Sequence, residues 1–274
     1  MGKSGTLIIP VMEGEMSDLV SVVITTFNRD EEVIKKAINT VRNQTYKEIE
    51  IIIVDDNGEK HPDISKNIEK CISDFKDVVY VKNDKNKGAC AARNTGISVA
   101  KGQFIAFLDD DDTWEKRKIE LQMEKFTEEV GFVYCGMNVI YENTGKEVKW
   151  PATEHSDPVI SLLKKNYVGN TSCGIVRKCI AEKVNGFDEQ LKSGQDQDFW
   201  IRLAQVCKFA YVDECLVNYT FLGKGSITKN QRIKLESNLY LYKKYNNIIK
   251  SDLGLFILFK MKITKCRLVN FLHR

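Results

Sequence analysis

The chain has eight cysteines but no CxxC pair, and only three histidines, so no zinc-ligand spacing can be assembled from it. Several of the cysteines, at positions 71, 90, 135, 173, 179, 207, 215 and 266, fall within apolar stretches, where a free thiol behaves as a small hydrophobe. That usage predicts reduced thiols in a cytoplasmic protein. An excess of one sign of charge is also missing. The 41 Lys and Arg face 38 Asp and Glu, and a net charge of +3 gives no reason to expect nucleic acid as a partner. Residues 1–18 contain no continuous apolar core of signal-peptide length, and no later apolar run is long and uninterrupted enough to span a bilayer. Lys3-Ser4 follows Gly2 but lacks the upstream glycine and strand of a phosphate-binding loop, which excludes that motif. Internal repeats and low-complexity segments are absent.

What is present is enough apolar material for one large core, 43% over 274 residues, arranged in a regular alternation. Short β-branched runs at 20–26, 49–54, 78–81 and 104–108 are expected as strands, and the amphipathic stretches 31–43, 62–75 and 89–100 as helices. Strands alternating with helices imply a mostly parallel sheet covered on both faces, which binds its ligand outside the carboxyl ends of its strands. Polar clusters fall at those ends: Thr25-Thr26-Phe27-Asn28-Arg29, then Asp55-Asp56-Asn57-Gly58, then Asp109-Asp110-Asp111-Asp112. Each alone is ordinary turn chemistry. Together they predict one site at one edge of the sheet.

The aspartate run follows directly on the apolar strand 104–108. Four like charges at one point repel each other, so a fold that gathers them at a buried strand end is expected to supply a cation in return. Oxygen-only ligands suit a hard ion, Mg²⁺ or Mn²⁺, better than zinc. A turn capping a helix that begins near Trp114 would use one aspartate and leave three unexplained.

Further along, two strands are expected within 131–150 around the hairpin turn Glu142-Asn143-Thr144-Gly145, then a short helix at 158–165 and a strand at 172–176. The polar stretch Ser193-Gly194-Gln195-Asp196-Gln197-Asp198 is expected to open a helix over 199–206, with Asp198 as its cap, before strands at 209–212 and 216–221. Residues 231–274 suggest two helices, the second apolar and ending with Lys265, Arg267, His273 and Arg274. That segment either packs on the domain or lies in a membrane interface, its cations meeting anionic headgroups.

Five fragments in order carry a resemblance: Val20-Ser21-Val22-Val23-Ile24-Thr25-Thr26-Phe27-Asn28-Arg29; Ile52-Ile53-Val54-Asp55-Asp56; Asn86-Lys87-Gly88 through Ala92-Arg93-Asn94-Thr95-Gly96; 107–114; and Gly186-Phe187-Asp188 with Gln195-Asp196-Gln197-Asp198-Phe199-Trp200. The set resembles the inverting glycosyltransferases of family 2. The resemblance covers about residues 19–228, leaving 1–18 as an N-terminal extension and 229–274 as a C-terminal helical segment. It implies an α/β protein of GT-A (Rossmann-like) fold, with a mixed, mostly parallel sheet flanked by helices and a C-terminal helical extension. It further implies transfer of a sugar from a nucleotide-diphosphate donor, a UDP-sugar, to a glycan or lipid-linked saccharide in surface polysaccharide biosynthesis. The expected setting is the cytoplasmic face of the membrane, with peripheral contact through the C-terminal helix.

By the same resemblance, Thr25, Phe27, Asn28 and Arg29 hold the nucleotide end of the donor and Asp56 bonds the base edge. An aromatic ring offers a stacking face, and a carboxylate accepts from a uracil N–H. Arg93 is expected near the nucleotide or diphosphate, where its fork suits phosphate oxygens. Asp109 and Asp111 match the DxD spacing, Asp110 is expected to contact the ribose, and Asp111 is the expected direct ligand of Mn²⁺ or Mg²⁺. Asp196 matches the second position of the family's Glu-Asp pair and is the expected general base. Two departures stand out: Gln195 replaces the first carboxylate of that pair, and Leu222 stands in Tyr219-Thr220-Phe221-Leu222 where relatives often carry ligating or basic residues. Lys224 is the nearest substitute for the missing charge. A sugar nucleotidyltransferase would carry a glycine-rich loop after the first strand, which Thr25-Thr26-Phe27-Asn28 is not. A catalytically inactive binding module would have no need to retain Asp109, Asp111 and Asp196 together.

Overall fold

A computed structural model describes residues 18–221 and 231–272. Lys3-Ser4, Leu222, Lys224, His273 and Arg274 lie outside the described residues. The chain begins with three strand–helix units and a fourth strand: β1 (Val20–Thr26), α1 (Glu31–Arg42), β2 (Ile49–Asp55), α2 (Pro62–Ile72), β3 (Val78–Lys82), α3 (Ala89–Val99) and β4 (Phe104–Asp109). These strands lie side by side in the order β3-β2-β1-β4, all parallel. Val20, Val22, Ile24, Ile52, Ile53 and Ile105 are fully buried, as expected of strands covered on both faces. Gly96 lets α3 press onto β1, since a Cβ there would come within 2.2 Å of the Val23 side chain.

The second half supplies β5 (Thr113–Trp114), α4 (Lys118–Met123), β6 (Val130–Tyr141), β7 (Lys146–Trp150), α5 (Pro158–Lys164), β8 (Gly174–Arg177), α6 (Lys178–Lys183), α7 (Gln195–Ala204) and β9 (Lys208–Phe221). β8 extends the sheet antiparallel to β4 and β6, and β9 runs parallel to β6 and antiparallel to β5. Among the described residues the result is one mixed sheet of nine strands in the order β3-β2-β1-β4-β8-β6-β9-β5, with β7 on β6.

Four expectations are corrected here. No helix starts near Trp114: that residue pairs with Val217 in β5, its indole N–H donates to the Ser172 carbonyl at 3.1 Å, and α4 begins only at Lys118. α7 starts at Gln195, so Asp198 is not its cap; Gly194 takes that position with φ +74°, and Asp198 is fully buried one turn in. The strands expected at 209–212 and 216–221 are one continuous β9. The described residues of the C-terminal segment form three helices, α8 (Gln231–Lys244), α9 (Asn246–Ser251) and α10 (Leu253–Leu272). Their inward residues Leu241, Tyr245, Ile249, Leu255 and Phe259 join the same hydrophobic core as the sheet. Among the described residues no helix is long and apolar enough to cross a membrane.

Candidate active site

The strand order reverses direction at β1, which has β2 on one side and β4 on the other, and that is where an open α/β sheet leaves a crevice. Register brings the polar ends together: Thr25 lies opposite Asp109, and Thr26 opposite Asp55. The four aspartates make a tight turn closed by the Asp112 N–H donating to the Asp109 carbonyl at 3.0 Å. Their carboxylates are then taken up by three sets of partners. Asp109 Oδ1 accepts from the Arg93 guanidinium at 2.6 Å and from Thr171 Oγ1 at 3.0 Å. Arg29 bridges the next two, 3.0 Å to Asp110 Oδ1 and 2.7 Å to Asp111 Oδ2. Asp112 is buried and accepts from Asn170 and Ser172, both at 2.6 Å.

Burial dominates the electrostatics of this turn. It lifts the Asp110 carboxyl to about 6, against the pull of Arg29. Asp112 is pushed well above the ordinary carboxylate range, first by burial and then by the charge of Asp109. Asp111 remains about a third exposed. Among the described residues Asp109 Oδ2 and Asp111 Oδ1 accept no hydrogen bond, so each offers an oxygen to a hard cation. No group of three or more His, Cys, Asp or Glu side chains that could hold an ion occurs among the described residues, so a cation held here would take most of its ligands from outside the protein.

Beside Asp109 lies a cavity of about 170 Å³ lined by Arg93, Asp109, Asn170, Thr171, Lys192 and Asp196 among others. α7 delivers Asp196 to it from its first turn. Burial raises the Asp196 pKa, only partly offset by the Gln197 N–H and by Arg93. Asn166 orients the carboxylate: its Nδ2 donates to Asp196 Oδ2 at 2.9 Å and to the Gly169 carbonyl at 2.7 Å, while the Gly169 N–H donates back to Asn166 Oδ1 at 3.2 Å. Gln195 turns its amide to the Leu191 carbonyl at 2.9 Å.

The ends of β1 and β2 lie at the same edge of the sheet as the aspartate turn. Phe27 is 45% exposed and meets His61 edge-on at 5.7 Å, so it is not a core aromatic. Asn28 adopts φ +53° and donates its N–H to Asn57 Oδ1 at 2.7 Å. Asp56 is buried, and its carboxylate accepts from Asn83 and from the N–H groups of Lys87 and Gly88, which clamps the loop before α3. Gly58, at φ +61°, allows that loop to close, because a Cβ would lie 2.5 Å from the Lys85 Cα.

Sequence reasoning singled out Asp109, Arg93 and Asp196, and the fold brings these three to one cavity. It missed Asn166, Asn170, Thr171 and Ser172, whose only local signal is the polar run ahead of β8.

Parallel strands that deliver their polar ends to one crevice at a reversal of strand order, within a mixed sheet flanked by helices, define an α/β protein of GT-A fold. The chain belongs to glycosyl transferase family 2, whose pattern matches residues 21–184. It is 33% identical over 242 residues to an uncharacterized glycosyltransferase of Methanocaldococcus jannaschii, covering 84% of this chain and 80% of that one. It is 28% identical over 235 residues to TuaG of Bacillus subtilis, a protein assigned to teichuronic acid biosynthesis, covering 84% and 89%. Some relatives are longer, and the chain spans 33% of the length of two from Rickettsia. The fold is similar to the crystal structure of S. aureus TarS 1–349 in complex with UDP-GlcNAc, with a TM-score of 0.61 at 18% identity, covering 82% of this chain and 66% of that one.

Proposed function

We propose that the protein is an inverting glycosyltransferase that takes a sugar from a UDP-sugar and passes it to a hydroxyl of a glycan or lipid-linked saccharide, in surface polysaccharide synthesis at the inner face of the cytoplasmic membrane. The observation that carries this reading is the convergence of Asp196, Arg93 and Asp109 on one cavity. Inversion needs a proton acceptor on the face of the sugar away from the departing diphosphate. Asp196 is suited to accept that proton, because Asn166 fixes one of its oxygens and desolvation makes it more basic than a solvated aspartate. Arg93 is a buried cation facing the same cavity, suited to the diphosphate. The exposed Phe27 ring offers a stacking face to the base. A cation, Mn²⁺ or Mg²⁺, held by Asp111 with Asp109 beside it would neutralise charge gathering on the leaving diphosphate. Support for the substrates comes from relatives: a UDP-GlcNAc complex in TarS and a teichuronic acid assignment in TuaG.

The test is UDP release from several UDP-sugars with Mn²⁺, with and without acceptor saccharide. Asp196→Asn should lower turnover by about 10²–10⁴-fold while donor binding survives. Near-normal turnover of that variant would refute the assignment. Because the base must be ionised and its pKa is raised, kcat/KM of the wild type should fall on the acid side with a midpoint above the ordinary 3.8.

A further inference from the structure

We infer that the outer face of α10 seats the protein on an anionic lipid surface, an inference that stands whether or not the transfer reading above holds. Among the described residues, Leu253, Ile257, Met261 and Leu268 are large apolar side chains left 73%, 49%, 65% and 58% exposed, and all four belong to α10. At 100° per residue they fall within about 80° of arc, so they form a single stripe. Leu255, Phe259, Ile263 and Cys266 occupy the opposite side and are buried. The helix therefore already has its core face, and the stripe is a second apolar face.

Charge selects its occupant. α10 carries Lys260, Lys262, Lys265 and Arg267 and no carboxylate. In the same projection Lys260 and Arg267 flank the stripe on one side and Lys265 on the other, while Lys262 reaches inward and donates to the Lys164 carbonyl at 3.1 Å. Cations rimming an apolar stripe meet phosphate headgroups when the stripe sinks to the acyl boundary. A second copy of the same face would bring these cations against one another. The helix has 20 residues, about 30 Å, and is not apolar enough to cross a membrane, so it lies in the plane of the surface. α8, which packs against α10, ends at Lys244, and Lys244 and the Tyr245 that follows it bond Asp198 of α7.

The experiment is co-sedimentation of the full chain, without nucleotide or acceptor, with vesicles of phosphatidylcholine alone and of phosphatidylcholine containing phosphatidylglycerol. Wild type should bind the mixed vesicles, bind the neutral ones weakly, and leave the mixed ones as salt is raised. Ile257→Ser with Met261→Ser should lower partitioning more than about tenfold. Lys260→Gln, Lys265→Gln and Arg267→Gln together should lower it on the order of a hundredfold, at roughly fivefold per cation. Melting curves of both variants separate lost docking from lost folding, and the salt release needs no variant. Absent binding, or equal binding to both vesicle types without salt dependence, overturns the inference. So does a wild-type dimer in sedimentation velocity that Ile257→Ser with Met261→Ser dissolves, which would give the stripe to a second copy.

Discussion

Lys118 on α4 is fully buried, its ammonium 4.0 Å above the Trp114 ring and without a hydrogen-bond partner among the described residues. Burial lowers its pKa to about 8, against the opposing pull of Cys135 and Cys173. In the unfolded chain the amine returns to 10.5, so folding is penalised at every pH below about 8, by at most about 3 kcal/mol, and the penalty fades as pH rises towards 10.5. Lys118→Met keeps the length and the contact with Trp114 while removing the charge. Its urea midpoint at pH 7 should exceed that of the wild type, with the difference shrinking at alkaline pH; an equal or lower midpoint at pH 7 would contradict this account. A lysine in a polar stretch gives no sign in the sequence that it will be enclosed. The same holds for Asn166 and Asp56, whose roles depend on loops distant in the chain. Arg93, Asp109 and Asp196 were legible because each sits within a recognisable fragment, Asp109 at the end of β4 and Asp196 in the first turn of α7.

At the scale of elements, α7 and α8 are joined by a cluster of charges. Asp198 is fully buried, with Arg202 at 2.8 Å on one oxygen and Lys244 at 2.8 Å and the Tyr245 hydroxyl at 2.7 Å on the other. Lys244 also reaches Asp188 at 2.6 Å, where the Tyr240 hydroxyl donates at 2.8 Å. Lys244→Met would leave two carboxylates short of a cation and should cost about 3 kcal/mol in urea unfolding. It should also loosen the C-terminal helices, seen as faster proteolysis within α8, α9 and α10. The first three strand–helix units could be placed from periodicity to within three residues at their ends, because strands buried on both faces are written as continuous β-branched runs. β5 could not: a two-residue strand has no period, and it exists only because β9 is there to pair with it. Residues 213–215, Asp-Glu-Cys, read as a break, yet β9 continues through them because β6 holds it along its length with a bulge.

For the molecule as a whole, the eight cysteines are free, and only Cys179 is exposed; Cys71, Cys90, Cys135, Cys173 and Cys266 are buried. Burial also raises the thiol of Cys90 to about 12 and that of Cys135 to about 11, so few thiolates are available to react. A thiol reagent should therefore titrate one fast group in the native protein and all eight in denaturant without reductant. Cys179→Ser should remove the fast phase, and fewer than eight in denaturant would reveal a disulfide. Fold class was readable from the alternation of patterns, whereas the closure of the sheet by β8, β6 and β9 rests on pairings between distant segments that no local pattern encodes.

The acidic turn that looks so forbidding in the sequence is quiet in the folded protein. Two guanidiniums lean on three of its carboxylates, and the fourth is driven towards its protonated form by enclosure. A polyphosphate drifting towards this mouth would meet a surface of muted polarity instead of a barrier of like sign, so the doorway stays open to the kind of visitor that four bare aspartates would turn away.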